Sequence, residues 1–236
     1  MSVWYFTNTS FTISPLTGPG VPAAELERLM SPFLNKLEQL GIKYNLVVRQ
    51  FSSFLEQFTG MQPPLEVGIL QLGGRLIPRS VVKESNDALT SVCRYINEHG
   101  GQFIGVGLNV SGAVAGNVYN SVNPAWRETL IDTVITTPWS FTAPWEEMIA
   151  NQRRMTYDFI PRLAALTPNG ACYLNEGDFL QPDFKNVFYG KNYDRLLSIK
   201  EKYDPNHIFY ATTAVGSDYW VQQADGRLCK AVGGLH

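Results

Sequence analysis

The sequence has little net charge and no long apolar run. Its 19 Lys and Arg residues nearly balance its 21 Asp and Glu residues, and the formal net charge is −2. Nucleic-acid-binding surfaces are usually basic stripes, and the basic residues here are scattered, so we expect no nucleic-acid partner. No stretch approaches the roughly 20 apolar residues of a membrane span, so we expect no membrane partner either.

Cysteine and histidine are scarce, and this argues against several kinds of site. The 3 cysteines are Cys93, Cys172 and Cys229. Their spacing is not that of metal ligands, so we expect no metal site, and whether two of them form a disulfide stays open. The 3 histidines are His99, His207 and His236. We expect them to be surface or capping residues, which argues against a catalytic triad. The sequence assigns no cellular compartment.

A glycine-rich phosphate loop is also missing from the sequence. Neither the P-loop pattern nor the dinucleotide-binding pattern G-x-G-x-x-G after a strand is found. Gly105 and Gly107 lie inside a predicted strand and lack the third glycine, so we interpret them as packing residues. We therefore expect this chain to have no binding loop of its own for a pyrophosphate group.

The hydrophobic pattern favours one α+β domain over residues 1–236. Alternating patterns predict strands at 3–13, 42–50, 66–72, 102–111, 127–136 and 171–175. Spacings of three and four predict helices at 22–40, 52–58, 80–99, 144–166, 183–189 and 193–202, and Pro32 is expected to kink or divide the first. Several strands follow one another directly, which predicts a mostly antiparallel sheet with helices packed on one face.

The most informative motifs lie in the last third of the chain. Tyr173-x-Asn175 is followed by GKNYDRL at 190–196 and by KEKYDP at 200–205. Upstream pieces are RLIPR at 75–79 and NPAWR at 123–127. In this order the pieces resemble the FAD-linked oxidoreductases of the berberine-bridge type, in the fungal branch of the vanillyl-alcohol-oxidase superfamily. The resemblance covers essentially the whole chain, with 171–236 as the berberine-type C-terminal segment.

The resemblance implies the substrate-side domain of such an oxidoreductase, without the N-terminal FAD-binding domain. The implied partners are a small-molecule substrate and a flavin-binding domain on a missing or separate segment. The whole assembly would transfer a hydride from an alcohol, sugar or secondary metabolite to FAD, and the chain alone is expected to be inactive and to bind FAD weakly. The alternative is a flavin-free small-molecule-binding protein or a non-redox cyclase derived from that domain.

The resemblance also implies a site at Tyr173 and Asn175. In the family the Y-x-N element lies beside the flavin ring and its tyrosine assists proton removal, so Tyr173 is the catalytic candidate and Asn175 the cofactor-binding candidate. On a strand at 171–175 these two side chains would share a face, while Cys172 and Leu174 would point into the core. An ordinary strand tyrosine that packs on a helix is the alternative for Tyr173.

Asn109 and Ser111 are the substrate-binding candidates. They alternate on the predicted strand 102–111 and would then line the substrate cavity from one side. The alternative is that Asn109-Val110-Ser111 is a glycosylation sequon or a plain surface pair.

Overall fold

Five antiparallel strands form the main sheet, with the order β2-β1-β4-β5-β3. The computed structural model describes residues 1–62, 68–116 and 118–231. The strands of the sheet are Ser2–Phe6 (β1), Phe11–Leu16 (β2), Leu70–Pro78 (β3), Gln102–Gly107 (β4) and Thr129–Pro138 (β5). The predicted α+β class with a mostly antiparallel sheet is confirmed.

Helices cover one face of this sheet. The α-helices are Ala23–Gln39 (α1), Phe54–Met61 (α2), Arg79–Glu84 (α3), Asn86–Glu98 (α4), the single turn Gly112–Ala115 (α5), Trp145–Arg154 (α6), Ile160–Leu166 (α7) and Tyr193–Tyr203 (α8). Leu89 and Ile96 are seven residues apart on α4, so both point into the same core. Phe159 and Leu163 fill that core with no solvent exposure, between the helices and the sheet.

Alternation along the strands gives the sheet two faces of different composition. On the helix side, Phe103 of β4 lies opposite Ile135 of β5, and both belong to the core. Successive strand side chains point to opposite sides, so the alternate residues form the other face, which we call the second face. The second face includes Tyr5, Gly74, Leu76, Ile104, Val106, Asp132, Val134 and Thr136.

Two predicted strands take a different form. The pattern at 3–13 folds into the β1–β2 hairpin, because Thr7 and Ser10 form a polar turn in which Thr7 N donates to Ser10 O at 3.0 Å. Residues 42–50 form neither strand nor helix and are exposed. A strand pattern is stable only when another strand accepts its backbone hydrogen bonds, and 42–50 has no pairing in the sheet.

The bounds of the other sheet strands were predicted only approximately. β3 continues through Gly73 and Gly74, which were predicted to end it, and residues 66 and 67 of that prediction lie outside the described residues. β4 ends at Gly107 instead of 111. β5 spans 129–138 instead of 127–136 and pairs with β3 from Leu70 to Pro78. Strand length here follows from pairing with a neighbour rather than from local composition.

The helix predictions are mostly confirmed, with changes at the breaks. Pro32 lies inside α1 without dividing it. The predicted helix 80–99 is two helices that meet at Ser85, whose backbone φ of −132° is not helical. The predicted helix 144–166 consists of α6 and α7, joined by the wider helical turn Met155–Phe159. A small hairpin of Trp220–Gln222 (β6) and Leu228–Lys230 (β7) was not predicted.

Helix α1 lies outside the core. None of its side chains is buried, and Leu29 and Phe33 stay exposed although apolar residues recur at helical spacing. Phe33 contacts only the sheet edge at Phe11, with the ring centroids 6.2 Å apart. Within the described ranges of the chain, no helix has the length and apolar character needed to span a membrane.

Candidate functional site

The predicted site lies on a segment held beside the edge strand β3. Leu76 N donates to Ala171 O at 2.7 Å, and Cys172 N donates to Val187 O at 3.0 Å. These two bonds hold residues 171 and 172 between β3 and the wide helical turn Lys185–Tyr189. The segment thus extends the sheet edge by a backbone contact before it leaves the strand direction.

A turn of 3₁₀ helix follows, where a strand was predicted. Leu174–Glu176 is helical, and Glu176 N donates to Tyr173 O at 3.1 Å. The prediction of a strand at 171–175 is therefore wrong. Its pattern is alternating, but a strand needs a run of partners and only the start of this segment has them.

Gly74 lets this turn pack closely on the second face. A Cβ at Gly74 would lie 2.4 Å from Thr133 O and 3.3 Å from Cys172 Sγ. It would also lie 3.4 Å from Glu176 O, so a larger residue here would clash first with the backbone of β5 and would also fill the space beside the turn. Gly74 is thus a packing residue that sets how near the candidate site lies to the strands.

Tyr173 and Asn175 meet on this turn. Asn175 Nδ2 donates to Tyr173 Oη at 2.7 Å. Tyr173 is half-buried and its ring packs edge-on against Trp126, with centroids 5.6 Å apart, while Asn175 is exposed. The two side chains were predicted to share a side and do so, although the turn and not a strand brings them together. Cys172 is buried as predicted, whereas Leu174 is 40% exposed and does not point into the core.

Asparagines of two sequence motifs anchor the segment that carries the site. Asn123, from the NPAWR piece, donates from Nδ2 to Val187 O at 3.2 Å. Asn192, from the GKNYDRL piece, donates from Nδ2 to Val122 O at 2.9 Å. Both side chains are buried. The two motifs, which are far apart in the sequence, therefore hold each other in place beside the turn.

Two carboxyl groups lie together beneath the turn. Asp132 projects from β5 onto the second face and is 4% exposed. Glu176 is half-buried on the 3₁₀ turn, and its carboxyl faces that of Asp132 within hydrogen-bonding reach. Two carboxylates at this distance repel each other, so the contact requires a proton between them.

Burial sets the protonation of this pair. Loss of solvation, together with the neighbouring negative charge of Glu176 and the hydrogen bond to its carboxyl, raises the pKa of Asp132 to about 8. Burial also raises the pKa of Glu176, although the hydrogen bond from Asp132 lowers it. Asp132 therefore holds the proton and Glu176 accepts it. Burial likewise raises the pKa of the Cys172 thiol, so Cys172 is not an activated nucleophile.

Asn109 and Ser111 do not lie on a strand. β4 ends at Gly107, and Asn109 Oδ1 accepts hydrogen bonds from Ser111 N at 3.2 Å and from Ser111 Oγ at 2.8 Å. This is a local turn that is stabilised by the side chain. Arg127 Nη1 donates to Val110 O at 2.8 Å and holds the same loop. The substrate role of Asn109 and Ser111 stays a prediction, without the strand geometry on which it depended.

Asp132 and Glu176 were missed at the sequence level. Asp132 is the carboxylate in an otherwise apolar and β-branched stretch, LIDTVIT at 130–136. Burial of a charged residue inside a strand that is covered on both sides costs free energy, so a carboxylate in such a stretch is a sequence signal for a functional residue. Glu176 offers no comparable signal, because a surface glutamate in a turn is ordinary.

The histidines and cysteines add no second site. His99 is exposed at the end of α4, as predicted, but His207 is buried and stacks on Tyr219 with ring centroids 4.1 Å apart. His207 was predicted as a surface or capping residue, and that prediction is wrong because the C-terminal segment folds over it. His236 lies outside the described residues. Cysteines 93, 172 and 229 are free thiols, and no metal-binding cluster is found among residues 1–62, 68–116 and 118–231.

Known proteins resemble this chain in sequence. The family "Berberine and berberine like" matches residues 172–216. FAD-linked oxidoreductase patO of Penicillium expansum is 42% identical over 98% of this chain, and the match covers 41% of patO. Bifunctional decalin synthase calF of Penicillium decumbens is 34% identical over 97% of this chain and is covered to 41%. The chain thus spans about two fifths of the length of these curated relatives.

The fold is also that of a solved flavoprotein. The crystal structure of the VAO-type flavoprotein MtVAO615 from Myceliophthora thermophila C1 superposes with a TM-score of 0.84 at 33% identity. The match covers 98% of this chain and 43% of that protein. In sequence and in fold, the chain corresponds to the C-terminal part of FAD-linked oxidoreductases of the berberine-bridge type.

Proposed function

We propose that the chain is the substrate-side part of an FAD-dependent oxidoreductase that transfers a hydride from a small organic substrate to flavin. The observation that supports this most is the hydrogen-bonded pair of Tyr173 and Asn175, presented on the second face of the sheet. The pair combines a proton-accepting phenol oxygen with an exposed amide, and apolar residues such as Ile104 and Val134 lie on the same face.

The residues present fit one edge of a flavin ring. Asn175 is exposed and offers an amide oxygen as acceptor, while one of its two side-chain N–H groups is donated to Tyr173. Bound FAD would supply acceptance of the hydride and later transfer of the electrons to O₂. The pyrophosphate would need donors from elsewhere, because Gly105 and Gly107 lie inside β4, against Trp4 and Ser2.

Tyr173 would act on the substrate hydroxyl. Oxidation of an alcohol removes a hydride from carbon and a proton from oxygen. Tyr173 would first release its own proton to solvent, and its phenolate Oη would then accept the proton of the substrate hydroxyl and become a phenol again. The N–H that Asn175 donates to Tyr173 Oη would stabilise the negative charge on the phenol oxygen. Trp126 packs against the Tyr173 ring and fixes its direction.

A flavin-free role is the second candidate. It is favoured by one comparison, since calF bears the name of a decalin synthase and matches nearly the whole chain. A synthase of that kind would use the second face to hold and fold a substrate without oxidising it. Such a protein would not need a flavin beside Asn175.

A chimaera tests the two candidates. The chain replaces the matching 41% of patO from Penicillium expansum, and the product is purified and assayed for bound flavin and for alcohol-dependent flavin reduction. We expect one flavin per molecule and bleaching of its absorbance on addition of a substrate of patO. A chimaera that folds but binds no flavin would contradict the proposal. So would a chimaera whose bound flavin is not reduced by any of the alcohols that reduce the flavin of patO. Conversion of a substrate without flavin would favour the second candidate.

A further inference from the structure

The buried carboxyl pair joins the turn of the candidate site to the middle of the sheet. Asp132 lies on β5, which pairs with both β3 and β4, so its position is fixed by two neighbouring strands. Glu176 lies on the same 3₁₀ turn as Tyr173 and Asn175, and Glu176 N bonds to Tyr173 O. A contact between the two carboxyls therefore connects a rigid strand to the turn that carries the site.

The two carboxyls depend on each other for a hydrogen-bond partner. Asp132 Oδ1 and Glu176 Oε2 are both buried, and within the part of the chain that the structure describes neither has a hydrogen-bond donor. An ionised carboxyl without a donor is costly to bury. One proton on Asp132 removes that cost, because Asp132 then donates to the carboxylate of Glu176.

The charged surroundings favour a single proton on the pair. The titratable groups around Cys172 are the Asp132 and Glu176 pair, Asp178 and the guanidinium of Arg75. The Asp178 carboxylate is bonded elsewhere, since it accepts from Thr156 Oγ1 and from Leu180 N. Arg75 is the cation in the group, but its Nε and Nη2 donate to Thr167 Oγ1 and to Thr167 O at 2.8 Å. Arg75 is therefore bonded to Thr167 and donates no hydrogen bond to the pair in the part of the chain that the structure describes.

We propose that one proton shared between Asp132 and Glu176 holds the 173–176 turn on the sheet, which makes these two acids positioning residues for Tyr173 and Asn175. The functional meaning of this inference rests on the proposed role of Tyr173 and Asn175. When the proton is lost, the two carboxylates repel each other and the turn loses its contact with β5. Tyr173 and Asn175 then change their position relative to the second face.

The structural part of this proposal is testable without cofactor or turnover. Side-chain carboxyl carbons of Asp and Glu and the side-chain amide of Asn175 are followed by NMR in the 236-residue chain between pH 5 and 9. We expect the Asn175 amide signals to move with the same midpoint as the Asp132 carboxyl carbon. Failure of the chimaera to reduce flavin would leave this result unaffected, so the two proposals fail separately.

Two isosteric variants provide the comparison. In Asp132→Asn the new amide donates to Glu176 at every pH, and in Glu176→Gln the new amide donates to Asp132. We expect the pH-dependent movement of the Asn175 signals to be lost in both variants, with signals close to those of the wild type at low pH. Two variants are used because one of them alone could fail to fold. Asp225→Asn, at an exposed ion pair with Arg227, is the matched control and should keep the movement.

Three results would overturn the proposal. The first is an Asp132 carboxyl that titrates in the ordinary range of an exposed aspartate. The second is a set of Asn175 signals that stays still while Asp132 titrates. The third is a movement of the Asn175 signals that persists unchanged in Asp132→Asn and in Glu176→Gln, since another group would then control the turn.

Discussion

The two faces of the sheet differ in what they bury. The helix face buries an apolar cluster that includes Phe103, Ile135 and Phe159, and its buried polar groups, such as Arg75 and Thr133, have hydrogen-bond partners. The second face buries a carboxyl pair at Asp132 and Glu176 and carries the Tyr173 turn. A polar group in a buried position lowers stability unless it is satisfied, so proteins keep such groups mainly where chemistry needs them. The difference agrees with a helix face that stabilises the fold and a second face that carries the candidate site.

The largest expected effect is on catalysis, at the second face. In the patO chimaera, Tyr173→Phe should lower kcat roughly 10²- to 10⁴-fold with little change in KM, because it removes a proton acceptor that acts in the transition state. Steady-state oxidation measured across pH checks this. Tyr157→Phe is the control, since Tyr157 is 69% exposed on the helix side of the chain. An equal kcat for the wild type and Tyr173→Phe would remove Tyr173 from catalysis.

The next effect is on stability, at the helix face. Phe159→Ala should lower the free energy of unfolding by about 3–5 kcal/mol, because Phe159 is fully buried and its removal leaves a cavity. Urea unfolding followed by circular dichroism measures the change. The exposed Phe209 provides the matched control, and Phe209→Ala should change the same quantity by less than about 0.5 kcal/mol. Similar losses in both variants would contradict the assignment of the core to this face.

A smaller effect on stability should come from the second face and depend on pH. The pKa of Asp132 is raised in the folded state, so between pH 4 and 8 the folded chain binds more protons than the unfolded chain. The contribution of Asp132 is thus fully present below the unfolded pKa of about 3.9 and is lost as pH rises through about 8. Its slope is at most about 1.4 kcal/mol per pH unit.

Urea unfolding of the wild type and of Asp132→Asn at several pH values isolates this slope. The difference between their unfolding free energies should change steadily between pH 5 and 8, with the wild type losing stability relative to the variant. A difference that stays constant over this range would show that Asp132 has an ordinary pKa in the folded chain.

The smallest expected effect is the response of the isolated chain to FAD. In the proposed function the second face contacts one edge of the flavin ring, and a few hydrogen bonds there cannot offset the lost motional freedom of so large a ligand. Equilibrium dialysis and gel filtration should therefore find no tight binding. A dissociation constant well below roughly 1 μM, with one flavin per chain, would show that the chain holds a complete site.

The elements with long periodic patterns could be predicted from the sequence. α4 and the α6–α7 segment have apolar residues at helical spacing, and their buried faces follow from that spacing alone. α1 has the same kind of pattern, yet it buries no side chain. The pattern states which side of a helix is apolar, but it does not state whether another part of the molecule covers that side.

The candidate site could be predicted only in part. Tyr173 and Asn175 were found through the Y-x-N motif, and their mutual contact is local, so it depends on neighbouring residues in the sequence. Asp132 was not found, because its partner Glu176 is 44 positions away and neither residue indicates the other. Asn109 and Ser111 were assigned to a strand that ends before them, since the ladder between β4 and β5 ends at Gly107 and a single backbone hydrogen bond follows it, from Leu108 N to Leu130 O.

The sequence by itself determined most of the helices, the class of the fold, the family resemblance and the Tyr173–Asn175 candidate pair, because each depends on residues close together or on motifs in a fixed order. Only the tertiary structure decided which face of the sheet the helices cover and that Gly74 admits the turn. It also decided that Asp132 and Glu176 meet beneath that turn. These features arise from contacts between residues that are far apart in the chain. Burial at such a contact changes whether a carboxyl group is ionised, and the residue type alone does not specify that burial.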